Sequence, residues 1–265
     1  MLVSCLTVTQ AGRLDGLRAA IGDFARQTHA DRELIVVHDG DAALDGAVRA
    51  LAAAAAPAEA EAPVRVLAVP GPASLGALRN RAVDAARGEF VCQWDDDDRC
   101  HPLRIELQLR ALVAEAAEFC FLVDQLHWFP ASGDLSWDDW NKEPWPLNFV
   151  QGTLLGRRAA MPRYPELARG EDTALCRAIL EAGHRIARLR GAGWCYVYVF
   201  HGRNAWPLAH HLAIAQMKAF GAARLLGSEK LLRERLAEYV PGLGAAVLTY
   251  PGGQIRIGGS GRPDR

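Results

Sequence analysis

Four consecutive aspartates, Asp95 to Asp98, follow an apolar run in the stretch GEFVCQWDDDDRCHP. Adjacent carboxylates repel, so a chain that gathers them behind a strand must compensate them with solvent, a helix terminus or a cation. In extended backbone residues i and i+2 point the same way, which lets Asp95 and Asp97 face one ligand. Hard oxygen ligands of this kind suit Mg2+ or Mn2+, which commonly bridge one or two protein carboxylates to substrate phosphates. The competing reading is a charged turn whose acids complement the helix that Pro102 helps to start. Asp39 closes a second apolar run at an Asp-Gly turn, and Glu171 and Asp172 open a helix in RGEDTAL. At a helix start two acids either complement the dipole or serve a substrate. His201 follows the apolar run WCYVYVF, as a packed structural side chain or as a ligand. Trp128, Trp137, Trp140 and Trp145 gather around 130–147, with indole faces suited to sugar rings or peptides as well as to a core.

The elements that must position these groups follow from periodicity. LVSCLTVT, ELIVVHDG, VRVLAV and EFVCQW read as four strands, apolar throughout rather than alternating. Between them lie LDGLRAAIGDFARQT at helical spacing, an alanine-rich helix from Ala42 to Ala56, a loop from Pro57 to Pro63, and LGALRNRAVDAARG capped by Ser74. Strands alternating with helices predict a parallel sheet covered on both faces, with ligands outside the strand carboxyl ends. Asp39 and the four aspartates both fall on that edge. Further along, a helix runs from Pro102 to about Ala117 and EFCFLVDQLHWF is a strand. The segment 130–147 reads as a long binding loop, and FVQGTLLG as a strand. EDTALCRAILEAG is a helix, followed by the strands RIARL and WCYVYVF. The chain from Pro207 to Tyr239 reads as helical, and from Gly252 as a frayed end.

At 265 residues, half of them hydrophobic, the chain has sequence enough for a large core. A net charge of −1 excludes the electrostatic footprint of a nucleic-acid-binding protein. No window approaches the apolar length of a transmembrane span, and the N-terminus lacks the pattern of a secretory signal. The six cysteines form no CxxC pair and read as reduced, which points to the cytoplasm.

Over roughly Leu2 to Trp206 the chain resembles glycosyltransferases of family 2, with the GT-A fold. VSCLTVTQAGRLDGLRAAIGDFARQTHADRELIVVHDGD is similar to that family's opening strand-helix-strand, and LGALRNRAVDAARGEFVCQWDDDD to its segment leading into a D-x-D strand. The second strand departs from the family's acidic pair, because His38 replaces the first acid. The resemblance implies a GT-A domain over 1–206, with a nucleotide-sugar half over 1–102 and an acceptor-side half over 103–206, then a helical extension and flexible tail over 207–265. It implies that Asp39 hydrogen-bonds the nucleobase, uracil, and that Arg79 supports the base or its loop. Asp95 would hold the ribose or a metal-bound water, with Asp96 in support. Asp97 would ligate Mn2+ or Mg2+, and His201, in a stretch similar to the family's H-G-x-N, would complete the metal site or meet the diphosphate. Asp172 would be the base of an inverting displacement, and Glu171 an acceptor contact. Trp128, Trp140 and Trp145 are expected at the acceptor site.

The expected activity is metal-dependent, inverting transfer from a UDP-sugar to a glycan, lipid-linked, peptide or small-molecule acceptor, with membranes met only peripherally. A sugar nucleotidyltransferase is disfavoured because TVTQAGRLDGL has no glycine-rich basic run. A catalytically silent carbohydrate- or partner-binding relative is disfavoured by the intact D-x-D and E-D pairs.

Overall fold

The computed structural model describes residues 1–55, 63–167 and 169–258. The N-terminal half runs β1 (Val3–Val8), α1 (Leu14–Ala25), β2 (Arg32–His38), α2 (Ala42–Ala55), β3 (Val64–Ala68), α3 (Leu75–Ala85) and β4 (Phe90–Gln93). The chain continues with β5 (Arg99–Cys100), α4 (Arg104–Ala114), β6 (Phe119–Leu122), β7 (Asp124–Phe129), β8 (Asp134–Asp139) and β9 (Leu155–Arg157). It closes with α5 (Glu171–Glu181), β10 (Ile186–Leu189), β11 (Tyr196–Val199), α6 (Leu208–Lys218), α7 (Ala222–Gly227), α8 (Glu229–Ala237), β12 (Ala246–Tyr250) and β13 (Gly253–Ile257).

Two sheets result. The first has seven strands in the order β10-β6-β9-β4-β1-β2-β3, and only β9 runs antiparallel to its neighbours. Its central strands are buried on both sides, as their unbroken apolar sequences require, while the edge strands β3 and β10 are only partly covered. Val3 and Cys5 of β1, with Leu34 and Val36 of β2, meet Leu17, Ile21 and Phe24 of α1 and Ile105 and Leu109 of α4. Leu6, Ile35 and Val37 point the other way, into Leu78 and Ala82 of α3 and Leu175 and Ile179 of α5. The one-residue alternation along each strand therefore feeds two separate cores.

The second sheet, β13-β12-β8-β7-β11-β5, is smaller and mixed. Its presence revises several sequence expectations. EFCFLVDQLHWF is two strands, broken at Val123, so that β6 stays in the first sheet while β7 joins the second. The expected 130–147 loop holds β8, paired antiparallel with β7. FVQGTLLG supplies only the first two residues of the three-residue β9, preceded by a short 3-10 turn at Gln151–Thr153. The C-terminal extension is not simply helical with a frayed end. β12 pairs parallel with β8 and antiparallel with β13, so residues 246–257 complete the second sheet. The expected Pro57–Pro63 loop, apart from Pro63 itself, and the end of the tail lie outside the described residues. Among the described residues no helix is long and apolar enough to cross a membrane.

The four aspartates form the connection between the two sheets, leaving the first at Gln93 and entering the second at Arg99. The site is thus built at a seam.

Candidate active site

A cleft of about 270 Å³ lies at this seam, and the four aspartates, Arg13, Arg79, Glu171 and Asp172 line one side of it. The carboxyl end of β4 delivers the acids, and α1 packs directly beneath them. A Cβ on Gly16 would come within 2.5 Å of the Asp96 carbonyl oxygen, so only glycine lets the helix approach this closely. Gly170, at φ 76°, turns the chain into α5 and sets Glu171 and Asp172 in its first turn.

Each aspartate has a different environment. Asp95 accepts from Arg79 Nη2 at 2.9 Å and from Gln93 Nε2 at 2.9 Å. Asp96 Oδ1 and Asp97 Oδ2 share one guanidinium nitrogen, Arg13 Nη1, at 2.9 Å each. His201 Nε2 lies 3.0 Å from the same Asp97 oxygen. Asp98 is buried, accepting from the Tyr196 hydroxyl and, at 3.0 Å, from the Val199 amide. Burial and the neighbouring Asp97 charge push the Asp96 carboxyl up to about 6. Burial works the same way on Asp97, but His201 and Arg13 outweigh it and hold that carboxyl below its ordinary value. In Asp98 burial wins, and its carboxyl is pushed well up. The run of acids therefore resolves into an anionic group facing the cleft, Asp97, and a buried anchor to β11, Asp98.

Arg79 joins the two ends of the cleft. Its Nη2 holds Asp95, and its Nε holds Glu171 Oε1 at 3.1 Å. Burial disfavours the guanidinium charge, yet the surrounding carboxylates outweigh it and raise its pKa. Burial in turn raises the Glu171 carboxyl, partly offset by Arg79. Asp172 keeps its Oδ1 on the Thr173 amide at 2.6 Å.

The sequence model for glycosyl transferase family 2 matches residues 8–148, more than half of the chain. The chain belongs to that family. No curated protein matches it significantly in full-length sequence comparison. Among solved structures it is similar to Staphylococcus aureus TarS residues 1–349 in complex with UDP, at 17% identity and TM-score 0.55, covering 89% of this chain and 71% of that one. It is also similar to TarS 1–349 in complex with UDP-GlcNAc, at 15% identity and TM-score 0.53, over 90% and 67% of the two chains. A third is the mannosyltransferase PcManGT from Pyrobaculum calidifontis in complex with GDP-Man and Mn2+, at 14% identity and TM-score 0.57, over 87% and 69%. The two-sheet architecture is that of a GT-A glycosyltransferase.

In this glycosyltransferase the expected site residues do not all gather at one point. Asp95, Asp96, Asp97, Glu171, Asp172 and Trp140 line one cleft, His201 touches it through Asp97, and Asp39 is not among the lining residues. Asp39 Oδ2 accepts from the Ala73 amide at 2.9 Å, and so secures the loop leading into α3. Arg79 lines the cleft, but as the bridge from Asp95 to Glu171. His38, which departs from the family's acidic pair, is buried with its Nε2 3.2 Å from Asp45 of α2. Trp128 packs against the core from β7, and Trp145 is 71% exposed beneath the Arg188 guanidinium. Of the three tryptophans assigned to the acceptor, only Trp140 reaches the cleft.

Several cleft residues had no warning in sequence. Arg13 looked like one arginine among many in a chain rich in them. Gln125 and His127 are polar residues two apart inside an apolar strand, a spacing that marks one face. Tyr198 on β11, Trp206, and His211 on α6 complete that wall.

Proposed function

We propose that the enzyme transfers a sugar from a nucleotide-diphosphate sugar, a UDP-sugar, to an acceptor hydroxyl with inversion, assisted by Mn2+ or Mg2+. The observation that carries the reading is the meeting of Asp97 Oδ2 and His201 Nε2 at 3.0 Å, beside a cleft lined by Asp172. The TarS complexes with UDP and UDP-GlcNAc and the PcManGT complex with GDP-Man and Mn2+ support a nucleotide-sugar donor on this architecture. Asp39, at the end of β2, would meet the base, and Asp95 the ribose or a metal-bound water. Asp96 and Arg79 would hold that pair in place.

The donor set fits a hard divalent cation. It offers a carboxylate oxygen and an imidazole nitrogen, with Asp96 Oδ2 buried and unpartnered next to them. Among the described residues no three acidic, histidine or cysteine side chains converge into a ready-made site. Substrate phosphate oxygens would therefore complete the shell. Bound there, the ion supplies Lewis-acid stabilisation of the leaving diphosphate. Arg13, which now neutralises Asp96 and Asp97, is the cation that would turn toward the phosphates. Asp172 would take the acceptor hydroxyl's proton as its oxygen attacks the anomeric carbon. The bond to the diphosphate breaks on the opposite face. Glu171, held by Arg79, orients the acceptor. On this reading 1–206 would form the catalytic domain, with His211 and Ile214 of α6 adding to the cleft wall.

Titration of the full chain with UDP, with and without Mn2+, tests the reading. Metal-dependent UDP binding is expected, and Asp97→Ala should abolish its metal dependence. UDP binding that is absent, or indifferent to the metal in the parent chain, would overturn it.

A further inference from the structure

Across the cleft from the acids lies a wall of different chemistry. Gln125 and His127 project from β7, Trp140 stands beyond β8, and His211 comes from α6. Five of their polar atoms are buried without a partner in the protein: Gln125 Oε1, His127 Nε2, Trp140 Nε1 and both ring nitrogens of His211. An unsatisfied buried polar group costs about 1–3 kcal/mol, and native proteins keep few of them. Five around one cavity call for a partner that enters the cavity.

Their chemistry specifies that partner. Trp140 Nε1 only donates, and Gln125 Oε1 only accepts. His127 Nδ1 lies 3.3 Å from the Asp138 carboxylate, a contact that favours the ring proton on Nδ1 and a lone pair on the buried Nε2. Burial holds His211 neutral near pH 7 by pushing its pKa down to about 4. The wall presents donors and acceptors side by side, and so suits a ligand that donates and accepts at several points. Hydroxyl groups do both, whereas a carboxylate or phosphate only accepts and would face Gln125 Oε1 and His127 Nε2 unfavourably. Aromatic rings lie between the polar points: His211 stacks on Tyr198 at 5.3 Å and 27°, and the Trp140 indole lines the same cleft. Flat faces with polar edges match a pyranose ring.

We infer that Gln125, His127, Trp140 and His211 form the acceptor subsite, and that it takes a neutral, polyhydroxylated ring, a saccharide rather than an anionic acceptor. This rests on the glycosyl-transfer reading for its role, although the binding chemistry stands without it.

The test is calorimetric titration of the full chain with the methyl glycosides of glucose, galactose, mannose and N-acetylglucosamine. Glucuronate, glycerol phosphate and a serine-containing peptide serve as the charged and peptidic counterparts, and each titration is run with and without UDP and Mn2+. At least one neutral glycoside should bind. Its affinity should fall about tenfold or more in Trp140→Phe, which removes the indole N–H together with the five-membered ring that carries it, and about tenfold in Gln125→Leu, the size of one lost hydrogen bond. Tighter binding of an anionic or peptide probe, no binding of any neutral glycoside, or glycoside affinity unchanged in both variants would each overturn the assignment. Failure of UDP alone would refute the donor reading, while the titrations without nucleotide still decide the subsite.

Discussion

Removing Arg79 should destabilise the fold and disconnect the two sides of the cleft. Its side chain is 9% exposed and spans Asp95 at 2.9 Å and Glu171 at 3.1 Å, with Glu171 itself 5% exposed. Hydrogen bonds to charged groups contribute about 1.5–3 kcal/mol each, and breaking a buried ion pair by deleting one partner costs about 3–5 kcal/mol. Asp95 is 20% exposed and keeps Gln93 Nε2, so its share is the smaller and the sum stays within ~3–5 kcal/mol. For a chain of this size that lowers the melting temperature by roughly 6–10 °C. Arg79→Met should show it in urea unfolding followed by both circular dichroism and tryptophan fluorescence. Arg79→Lys should recover only part, because an ammonium is a point charge and cannot span two carboxylates as the planar fork does. The decisive measurement is the cycle with Glu171→Gln. If the cost of Arg79→Met is an orphaned Glu171 charge, the double variant should regain about 1–3 kcal/mol relative to the sum of the single ones. A loss under about 1 kcal/mol for Arg79→Met, or strict additivity, would refute the bridge as the source of the stability.

Asp172→Asn should bind UDP and Mn2+ like the parent and lose about 10²–10⁴-fold in transfer rate, since it keeps the shape of the side chain and removes the carboxylate proposed as the base. Near-parental transfer would show that another group takes the proton. His101 is buried between Trp194 and Tyr239, and burial pushes its pKa down to about 4, with Glu238 opposing and Arg235 adding to the effect. A histidine whose folded pKa lies below its unfolded value near 6.5 contributes stability present above about pH 6.5 and lost as pH falls toward about 4. Asp96, pushed up to about 6, has the opposite slope over part of that range, so the contrast between variants is the useful quantity. The melting temperature should fall less between pH 7.5 and 5 in His101→Phe than in the parent, and an unchanged difference would remove His101 as the cause.

Much of the donor side is legible in sequence, because parallel strands buried on both faces announce themselves as unbroken apolar runs. Once Leu6, Val37 and Cys92 are placed in such strands, topology brings Asp39 and the aspartates to one edge without knowledge of any side-chain contact. The second sheet is harder for a physical reason. β8 reads DLSWDD, which is polar for a strand, and the structure divides that polarity: Asp134 is exposed and Ser136 and Asp139 are half-buried, while Asp138 is buried as the partner of His127. The same holds at the terminus, where AVLTYPGGQIRI carries two β-prone runs around a Pro-Gly-Gly turn, a hairpin signal outweighed by its position in the chain. Arg79 marks the remaining gap. Helical spacing on α3 tells which face it occupies, but its two partners lie 16 and 92 residues further on. Local pattern fixes where a charge can point, and only the closed fold decides which opposite charges meet it. The acceptor wall is the extreme case, since its residues come from β7, the turn after β8, and α6. The Gln125/His127 spacing marks one face of β7, but nothing local links it to Trp140 or His211, and their common chemistry shows only in the atoms that the fold leaves without a partner.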